Sequence, residues 1–350
     1  MKELRLLQVV PSLESGGVEQ GTIDLANYIG KAGHKSIVVS NGGRMLSYLN
    51  FQNVEHIKLS VHSKNPFIIY SNIRKLKKII LSNKINLIHV RSRAPSWSVR
   101  YASSNLCKSI STFHNVYGHN NLFKRYYNKS LAKVDKIIAI SEYVKNSILR
   151  IYKIKKEKIT VIHTGIDTDL YNPEKNDELI FPSFFSKYNL PNDKKIILFP
   201  GRLTQWKGQI EFLDVLKFLD LKNTICYFIG DDKNTSYKSK LEKEIYKKNL
   251  NLNCKILGHL SKEDMRLMYK SSDLIISSPL EPEGFGRVIS EGLAMKKIVL
   301  CYNFGGSKEQ ISELDDLYAV EPYNKNQMIK NIKIAFDLSN VKKKHVGKLF

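Results

Sequence analysis

The chain is poor in the features that hold small secreted proteins together or anchor proteins in a bilayer. Its four cysteines lie far apart and form no Cys-x-x-Cys pair, which excludes a disulfide scaffold and a cysteine-based zinc site and fits a reducing cytosol. The longest apolar runs are about five residues, whereas a membrane-spanning helix needs ~20. Glycine and proline fill only 29 of 350 positions, which excludes collagen-like and low-complexity proteins.

The length and the first residues also bear on the class of protein. A chain of 350 residues is too long for one ordinary core, so we expect two domains. The opening residues, MKELRLLQVVPSLESGG, carry charges within the apolar run and have no small-residue cleavage site. We therefore do not expect a signal peptide.

Acidic residues are scarce as well. The chain has 33 Asp and Glu against 56 Lys and Arg, a net charge of +23. Residues 1–170 contain 27 basic and 10 acidic residues, whereas residues 171–350 contain 29 and 23. A lysine-rich coding bias would act on both halves alike, so the excess in the first half calls for a second explanation, such as a polyanionic partner.

Short β-rich runs alternate with helical patterns, and the whole pattern occurs twice. This alternation predicts an α/β protein with two doubly wound, Rossmann-like domains whose strand ends can face each other across a cleft. The predicted domains are residues 1–170 and 195–335, joined by a proline- and aromatic-rich linker at 171–194. Residues 336–350 form a basic tail that we expect to pack back on the first domain.

A glycine-rich segment follows the first predicted strand. Gly16 and Gly17 precede a predicted helix, where a ligand can approach the backbone and the positive end of the helix. The segment lacks the G-x-G-x-x-G spacing of a dinucleotide site and the lysine of a P-loop, which argues against ATP hydrolysis. The alternative is a simple tight turn.

The second domain contains two cations in a strand-to-helix loop. Arg202 and Lys207 follow the strand IILFP, at the position where the phosphates of a ligand would lie. A guanidinium and an ammonium group both suit a diphosphate. The alternative is a pair of solvated loop charges.

Two glutamates frame a further glycine-rich turn. Gly284, Phe285 and Gly286 follow a strand and open a helix, with Glu283 before them and Glu291 inside the helix. The free N–H groups of such a turn favour an anion, and a carboxylate can accept hydrogen bonds from the vicinal hydroxyls of a sugar or a ribose. The alternative is an acid stabilised by the helix dipole, which explains one glutamate but not the arrangement.

Together these segments resemble the retaining glycosyltransferases of family four, which have the GT-B fold. The resemblance covers residues 8–310 in the family's order, and Glu283 and Glu291 match its E-x7-E motif. A narrower similarity, to a bacterial subgroup that handles cell-envelope sugars, depends on the phrases RSRAPSWS and PEGFGRV. The matching segments are GGVEQGTIDLA, STFHNVYG, AISEYV, VIHTGIDTDLYNP, PGRLTQWKG, IGDD, LGHL and PEGFGRVISEGLA.

For the second domain, the resemblance implies a role for each matching residue. Arg202 and Lys207 would bind the diphosphate of the donor and neutralise the leaving nucleotide. Glu291 would accept hydrogen bonds from the ribose, and Glu283 from hydroxyls of the transferred sugar. The turn Gly284–Gly286, with Phe285, would contact the donor.

The resemblance also implies a site in the first domain and a pocket for the base. Gly16 and Gly17 would let the diphosphate approach the first helix, and His114 would lie by the transferred sugar. Leu257 and His259 match the place where the family holds the nucleotide base.

The chain departs from the family's pattern after Glu291. Lys296-Lys297 stands where the family usually has a Gly-Pro pair, and Lys308 stands where proline is common. Both departures lie beyond the main ligands, so they affect the local loop shape and the choice of sugar more than the activity.

We expect the reaction to need neither a metal nor a cofactor. The D-x-D motif, Asp167 to Asp169, lies in the linker phrase and is more typical of a turn. The resemblance implies retention of the anomeric configuration, with a donor based on uridine or guanosine diphosphate. It further implies a cell-envelope glycan or glycolipid acceptor, such as lipopolysaccharide.

Two basic stretches of the first domain suit an anionic membrane surface. Residues 72–82 and 121–133 mix apolar or aromatic side chains with lysine and arginine, as expected at a headgroup interface; the alternative for each is a helix with a solvated face. The chain would then be a cytoplasmic protein bound peripherally to the inner membrane. Two other functions stay open: a nucleotide-sugar epimerase of the same fold and a nucleic-acid-binding protein, for which the chain has no recognisable motif.

Overall fold

The computed structural model describes residues 3–14, 16–118 and 121–346, with side chains up to residue 339. The chain divides into two compact units, Met1–Gly165 and Ile166–Phe350. Each unit contains one parallel sheet with helices between its strands. This confirms the predicted α/β class with two Rossmann-like domains.

The first unit is built on a seven-stranded sheet in the order β3-β2-β1-β4-β5-β6-β7. All its strand pairs are parallel, and its strands are mostly buried, as expected when helices cover both faces. The strands are β1 (Arg5–Val9), β2 (Lys35–Ser40), β3 (Val54–Lys58), β4 (Leu87–Val90), β5 (Lys108–Phe113), β6 (Lys136–Ala139) and β7 (Ile159–Val161).

Five helices connect these strands. They are α1 (Gly17–Lys31), α2 (Pro66–Ser82), α3 (Arg93–Ala102), α4 (Leu122–Lys129) and α5 (Glu142–Tyr152). Helix α2 begins after Asn65, whose side chain accepts a hydrogen bond from Phe67 N, and it has a proline at its first position. Both features favour a helix start.

The second unit has a six-stranded sheet in the order β10-β9-β8-β11-β12-β13. Ile197 and Phe199 belong to one core cluster, and Ile196 and Leu198 belong to the other. Because successive side chains of a strand point to opposite faces, the sheet has a core on each side. Its strands are β8 (Lys195–Pro200), β9 (Thr224–Ile229), β10 (Cys254–Gly258), β11 (Leu274–Ser277), β12 (Ile298–Tyr302) and β13 (Ala319–Val320).

Seven helices belong to the second unit as described. They are α6 (Phe181–Tyr188), α7 (Gln209–Leu216), α8 (Thr235–Lys247), α9 (Lys262–Ser271), α10 (Arg287–Ala294), α11 (Gly305–Ile311) and α12 (Lys325–Val346). The helical patterns of the sequence near 207–220, 236–249, 262–271 and 287–295 predict α7 to α10 to within a few residues. The sequence pattern does not predict the short strands β3 and β13, which lie at the edges of their sheets and carry weak apolar signals.

The segment 171–194, interpreted from the sequence as a linker, is an integral part of the second unit. Tyr171, Phe184 and Leu190 are buried in one of its two cores. Asp177 is also buried and accepts hydrogen bonds from both terminal nitrogens of the buried Arg266 in α9. The proline and aromatic content that suggested a linker thus belongs to a packed segment.

The predicted tail, residues 336–350, continues helix α12 as far as Val346. Phe336 packs against the core of the second unit. Residues 347–350 lie outside the described residues, so packing of this tail on the first domain stays a prediction.

Candidate active site

The candidate residues of the second unit follow two adjacent strands. Strands β8 and β11 are paired, and the loops that leave their carboxyl ends carry Arg202, Lys207 and Glu283. The two loops are joined directly, because Leu280 N donates to Trp206 O at 2.6 Å. In a doubly wound sheet this edge is where ligands bind.

Lys207 and Glu283 form an ion pair at the centre of these loops. Lys207 Nζ lies 2.7 Å from Glu283 Oε1, with the side chains 10% and 18% exposed. The ammonium group also lies over the Trp206 ring, 4.4 Å from its centroid. The second carboxylate oxygen, Glu283 Oε2, is buried and has no hydrogen-bond partner among the described residues. A buried carboxylate oxygen left without a donor is costly, which makes it a place where hydroxyls of a ligand would bind.

Glycines allow the loops of this site to approach one another closely. Gly208 has a φ of 80°, and a Cβ there would lie 2.3 Å from Ser278 O. A Cβ on Gly306 would lie 2.2 Å from Gly284 O, and Gly306 N donates to Glu283 O at 2.8 Å. The start of α11 therefore fixes the backbone that carries Glu283.

Glu291 lies inside α10, in a polar cluster below the surface. Tyr269 Oη donates to Glu291 Oε2 at 2.9 Å, and Arg287 Nε lies 3.5 Å from Oε1. Burial raises the pKa of the Glu291 carboxyl, against the opposing effects of Arg287 and of hydrogen bonds from Tyr269 and Tyr171. Gly286, the residue before the first residue of α10, has a φ of 92° and gives the helix no side-chain cap, so a ligand can occupy the first N–H groups of the helix.

The remaining predicted residues of the second unit lie at the ends of neighbouring strands. Arg202 is exposed, two positions after the end of β8, and Phe285 is buried beside Gly286. Leu257 is half-buried in β10 and packs on the core, whereas His259 is exposed just after the strand. Strands β8, β9 and β10 are adjacent, so Arg202, Leu257 and His259 share one edge of the sheet.

In the first unit, Gly16 and Gly17 lie where α1 begins. Gly16 has a φ of 122° and provides no side-chain cap to the helix. Helix α1 follows β1, an interior strand that lies between β2 and β4 in its sheet. The uncapped start of α1 is therefore at the strand-end edge where a diphosphate could approach.

His114 immediately follows β5 and lies close enough to the buried Arg91 and His89 to interact with them electrostatically. Its Nε2 atom is buried and has no hydrogen-bond partner among the described residues. Burial and the nearby Arg91 lower the pKa of His114 well below its usual value, and burial does the same to His89, whose Nε2 is 2.7 Å from Thr112 Oγ1. His114 is thus a neutral group with an unused nitrogen.

No grouping suited to a metal occurs in the part of the chain that the structure describes: no three His, Cys, Asp or Glu residues come close enough there. Within the D-x-D motif, Asp167 Oδ1 accepts a hydrogen bond from Leu170 N at 2.9 Å, as in a turn. That metal takes no part in the reaction stays a prediction. Among the described helices, none has the length and apolar character to cross a membrane.

Sequence reasoning missed the supporting residues of this site. Tyr269 and Tyr171 hold Glu291, and Trp206 covers Lys207. Gln310 Nε2 donates to Gly286 O at 3.2 Å and thereby supports the turn before α10. Trp206 stands next to Lys207 in sequence and could have been noticed, but the tyrosines and Gln310 are brought in by tertiary packing alone.

The chain matches two family models that together cover most of its length. The model described as Glycosyltransferase Family 4 matches residues 15–170, and the model described as Glycosyl transferases group 1 matches residues 181–346. The boundary between the two matches is close to the boundary between the two structural units.

Solved structures and a curated relative agree with these matches. A glycosyltransferase from Rickettsia africae is 36% identical, with a TM-score of 0.86 over 97% of this chain and 89% of that one. HepE of Anabaena, solved in complex with UDP-glucose, is 19% identical, with a TM-score of 0.83 over 97% and 91%. The GPI3 subunit of the phosphatidylinositol N-acetylglucosaminyltransferase of Saccharomyces cerevisiae is 22% identical over 87% of this chain and 68% of that protein.

Proposed function

Because the chain belongs to the glycosyltransferases, with a family 4 domain followed by a group 1 domain, we propose that it transfers a sugar from a nucleoside-diphosphate sugar to a lipid-linked acceptor with retention of configuration. The observation that carries this proposal is the Lys207–Glu283 pair, with its unpartnered Oε2 atom at the strand ends of the second unit. The HepE relative binds UDP-glucose, which supports a donor of this kind.

In the proposed reaction, the second unit holds the donor. Lys207 and the exposed Arg202 contact the diphosphate, and the uncapped start of α10 adds its N–H groups. These fixed charges stabilise the negative charge that develops on the leaving diphosphate, usually the largest catalytic effect in such sites. Glu291 accepts from the ribose, Leu257 and His259 line the base, and no metal is needed.

The carboxylate and the histidine position the transferred sugar. Glu283 Oε2 has no donor of its own in the described residues, so it can accept from sugar hydroxyls. The neutral His114 offers Nε2 to the sugar as a donor or an acceptor. The acceptor attacks on the face that the diphosphate leaves, and the leaving phosphate oxygen takes the proton of the acceptor hydroxyl.

The donor part of the proposal is tested by a thermal-shift screen against UDP, GDP and their sugars. A nucleotide at 100 times its dissociation constant should stabilise the chain by ~2.7 kcal/mol, and Lys207→Met should abolish this shift. Lys325→Met is the matched control, because Lys325 also pairs with a carboxylate, Asp214, at 3.1 Å but lies outside the site. No shift with any nucleotide would refute the proposed donor, and a sugar nucleotide changed without an acceptor would indicate an epimerase.

The lipid-linked acceptor and the cytoplasmic, membrane-peripheral location have their own support in the first unit. The yeast relative belongs to a phosphatidylinositol N-acetylglucosaminyltransferase, whose name indicates a lipid acceptor for that enzyme. Helices α2 and α4 of this chain expose Phe67, Leu122 and Phe123, each at least 80% accessible, next to many lysines and arginines. Aromatic and basic residues together suit an anionic lipid surface.

Sedimentation with vesicles tests the membrane part separately. We expect binding to phosphatidylglycerol vesicles, weak binding to phosphatidylcholine vesicles, and a roughly tenfold or larger loss with Phe123→Ser, since burying a phenylalanine is worth about 1.5–3 kcal/mol. Leu252→Ser is the control, because Leu252 is 78% exposed in the second unit. Equal binding to both lipids, or to neither, would refute the electrostatic part.

A further inference from the structure

A long stretch of the first unit contains no acidic residue. Residues 56–134 include 15 lysines and arginines and not one aspartate or glutamate. The stretch runs from the end of β3 through α2, α3 and α4. A lysine-rich coding bias adds cations but does not remove every acid from 79 residues, so the stretch supplies no carboxylate of its own to its 15 cations.

Arg93 occupies a central place in this stretch. It is the first residue of α3, three positions after the carboxyl end of β4. Its guanidinium lies over the Tyr117 ring, 4.3 Å from the centroid, and Nη1 donates to Asn128 Oδ1 at 3.2 Å. Arg93 makes no ion pair with any described residue, so its charge is balanced by neutral groups only.

Two other cations approach the same group of tyrosines. Burial raises the pKa of Tyr117, Tyr127 and Tyr152, and the positive charge of Arg93 opposes this rise in each of them. Arg125 of α4 acts on Tyr152 as well, and Lys64 Nζ lies 5.9 Å from the Tyr127 ring centroid. Cations from three separate segments therefore act on one group of tyrosines.

Like charges held together repel one another, and a carboxylate would relieve the repulsion. In the second unit the buried Arg266 is paired with Asp177, whereas around Arg93 the described residues provide only hydroxyls, rings and an amide. The guanidinium fork suits a phosphate or a carboxylate. An anionic group of a bound molecule would supply the missing charge.

We propose that Arg93, Arg125 and Lys64 bind a phosphate or carboxylate group carried by the sugar acceptor. This rests on the proposed function, because it assigns a charge to the acceptor of that reaction. Tyr117 and His114 follow the same strand, β5, and Arg93 follows its neighbour β4. The anionic group would thus be bound near the residue that positions the transferred sugar, in the unit that does not contain the Arg202 and Lys207 diphosphate site.

The test compares charged and neutral sugars as ligands of the full chain with saturating UDP or GDP. Glucose 1-phosphate, glucuronate and methyl glucoside are the probes, measured by calorimetry or ligand-observed NMR. We expect at least one anionic probe to bind about tenfold or more tightly than the neutral glucoside, the size of a charge-assisted hydrogen bond. Equal binding of all three sugars would overturn the proposal.

The variant Arg93→Gln should remove most of the preference for the anionic probe, and Arg93→Lys should keep part of it. Arg100→Gln is the matched control, because Arg100 lies on the same helix and stacks on Tyr101, 5.0 Å from the ring centroid. It removes the same charge outside the proposed site and should leave the preference intact. Equal losses in Arg93→Gln and Arg100→Gln would show a general charge effect and contradict the proposal.

Two further readouts separate this proposal from its premises. Nucleotide-induced thermal shifts should be unchanged in Arg93→Gln. If the wild-type chain shows no such shift, the proposed function is refuted. If it shows the shift but binds charged and neutral sugars equally, only the proposed charge of the acceptor is refuted. If Arg93→Gln weakened sedimentation with phosphatidylglycerol vesicles but not binding of the sugar phosphate, Arg93 would serve a lipid headgroup, and the proposal would be wrong.

Discussion

The two units use their cations in different ways. In the second unit, several cations with little exposure are paired with carboxylates: Lys207 with Glu283, and Arg266 and Lys270 with Asp177. In the first unit, residues 56–134 offer no carboxylate at all. Pairing holds such cations in place, including Lys207 at the proposed donor site, whereas cations without a nearby carboxylate are left to attract an external anion. The net charge of the whole chain conceals this difference.

The largest effect expected from breaking a pair is at Asp177. Hydrogen bonds from Arg266 lower the pKa of Asp177 to about 2. Asp177→Asn leaves the buried Arg266 with only the half-exposed Glu263 as a negative partner and should destabilise the second unit by about 3–5 kcal/mol, measured by urea unfolding. Because the pKa in the folded state lies below the unfolded value of 3.8, the wild-type chain loses this stabilisation as pH falls from about 5 to 2.

The variant should lack that part of the acid dependence, since an amide does not titrate. Asp135→Asn is a control in the first unit, where Asp135 is hydrogen-bonded to Ser109 and has no ion-pair partner among the described residues. A similar loss in both variants would show that pairing with a buried arginine is not what distinguishes Asp177.

The next largest effect is catalytic. Lys207→Met should lower kcat by roughly 10²–10³, the usual cost of removing one preorganised stabilising group, while Lys325→Met leaves kcat near the wild-type value. Release of nucleoside diphosphate in the presence of an acceptor gives the rate. Arg202→Met should cause a loss of the same order. A rate that is insensitive to Lys207→Met would mean that the paired lysine is structural.

The sequence predicts the two-domain fold and the main candidate residues of the second unit, because both have signals within short segments of the chain. Arg202, Lys207, Glu283 and Glu291 are found because each is next to a glycine-rich turn that follows an apolar strand. Those turns need particular residues for their backbone geometry, so the chain carries a visible signal at the site. The alternating pattern of strands and helices gives the two-domain fold for the same reason.

Tertiary packing decides what the sequence pattern misses. Asp177 and Arg266 are 89 positions apart, and the segment around Asp177 has the composition of a linker. Tyr269 has the apolar pattern of any helix in a core, and only its 2.9 Å hydrogen bond shows that it supports Glu291. Arg93 stands out only once Tyr117, Tyr127 and Tyr152 are placed around it. A pattern within one short segment of the sequence does not predict contacts between residues that are this far apart in the chain.

A smaller effect concerns the titration of Glu291. Burial raises the pKa of the Glu291 carboxyl in the folded state. The folded state therefore favours the protonated carboxyl, and this contribution to the free energy of unfolding is lost as pH rises from the pKa of the unfolded state through the pKa of the folded state. Binding of nucleotide needs the carboxylate as an acceptor and should strengthen over the same range. Calorimetric titration of UDP or GDP against pH measures the second trend, and thermal unfolding measures the first.

The variant Tyr269→Phe sharpens this prediction. Without the hydroxyl that donates to Glu291 Oε2, the charged form loses stabilisation and the pKa should rise further. Nucleotide binding should then weaken by roughly tenfold near neutral pH and recover at higher pH, with kcat at saturating donor much less affected. A loss that is the same at every pH would indicate a packing defect instead.

The smallest effect is expected where a pair of the second unit is fully exposed. Lys296 Nζ lies 2.6 Å from Glu174 Oε1, but both side chains are more than 70% accessible. An exposed pair of this kind is screened by water and salt, so Glu174→Gln should leave the urea midpoint and the nucleotide-induced shift at their wild-type values. If it destabilised the chain as Asp177→Asn does, pairing alone would matter and burial would not. If Glu174→Gln has no effect, the difference between the two units depends on which cations are buried together with a carboxylate. The number of ion pairs in each unit does not measure that difference.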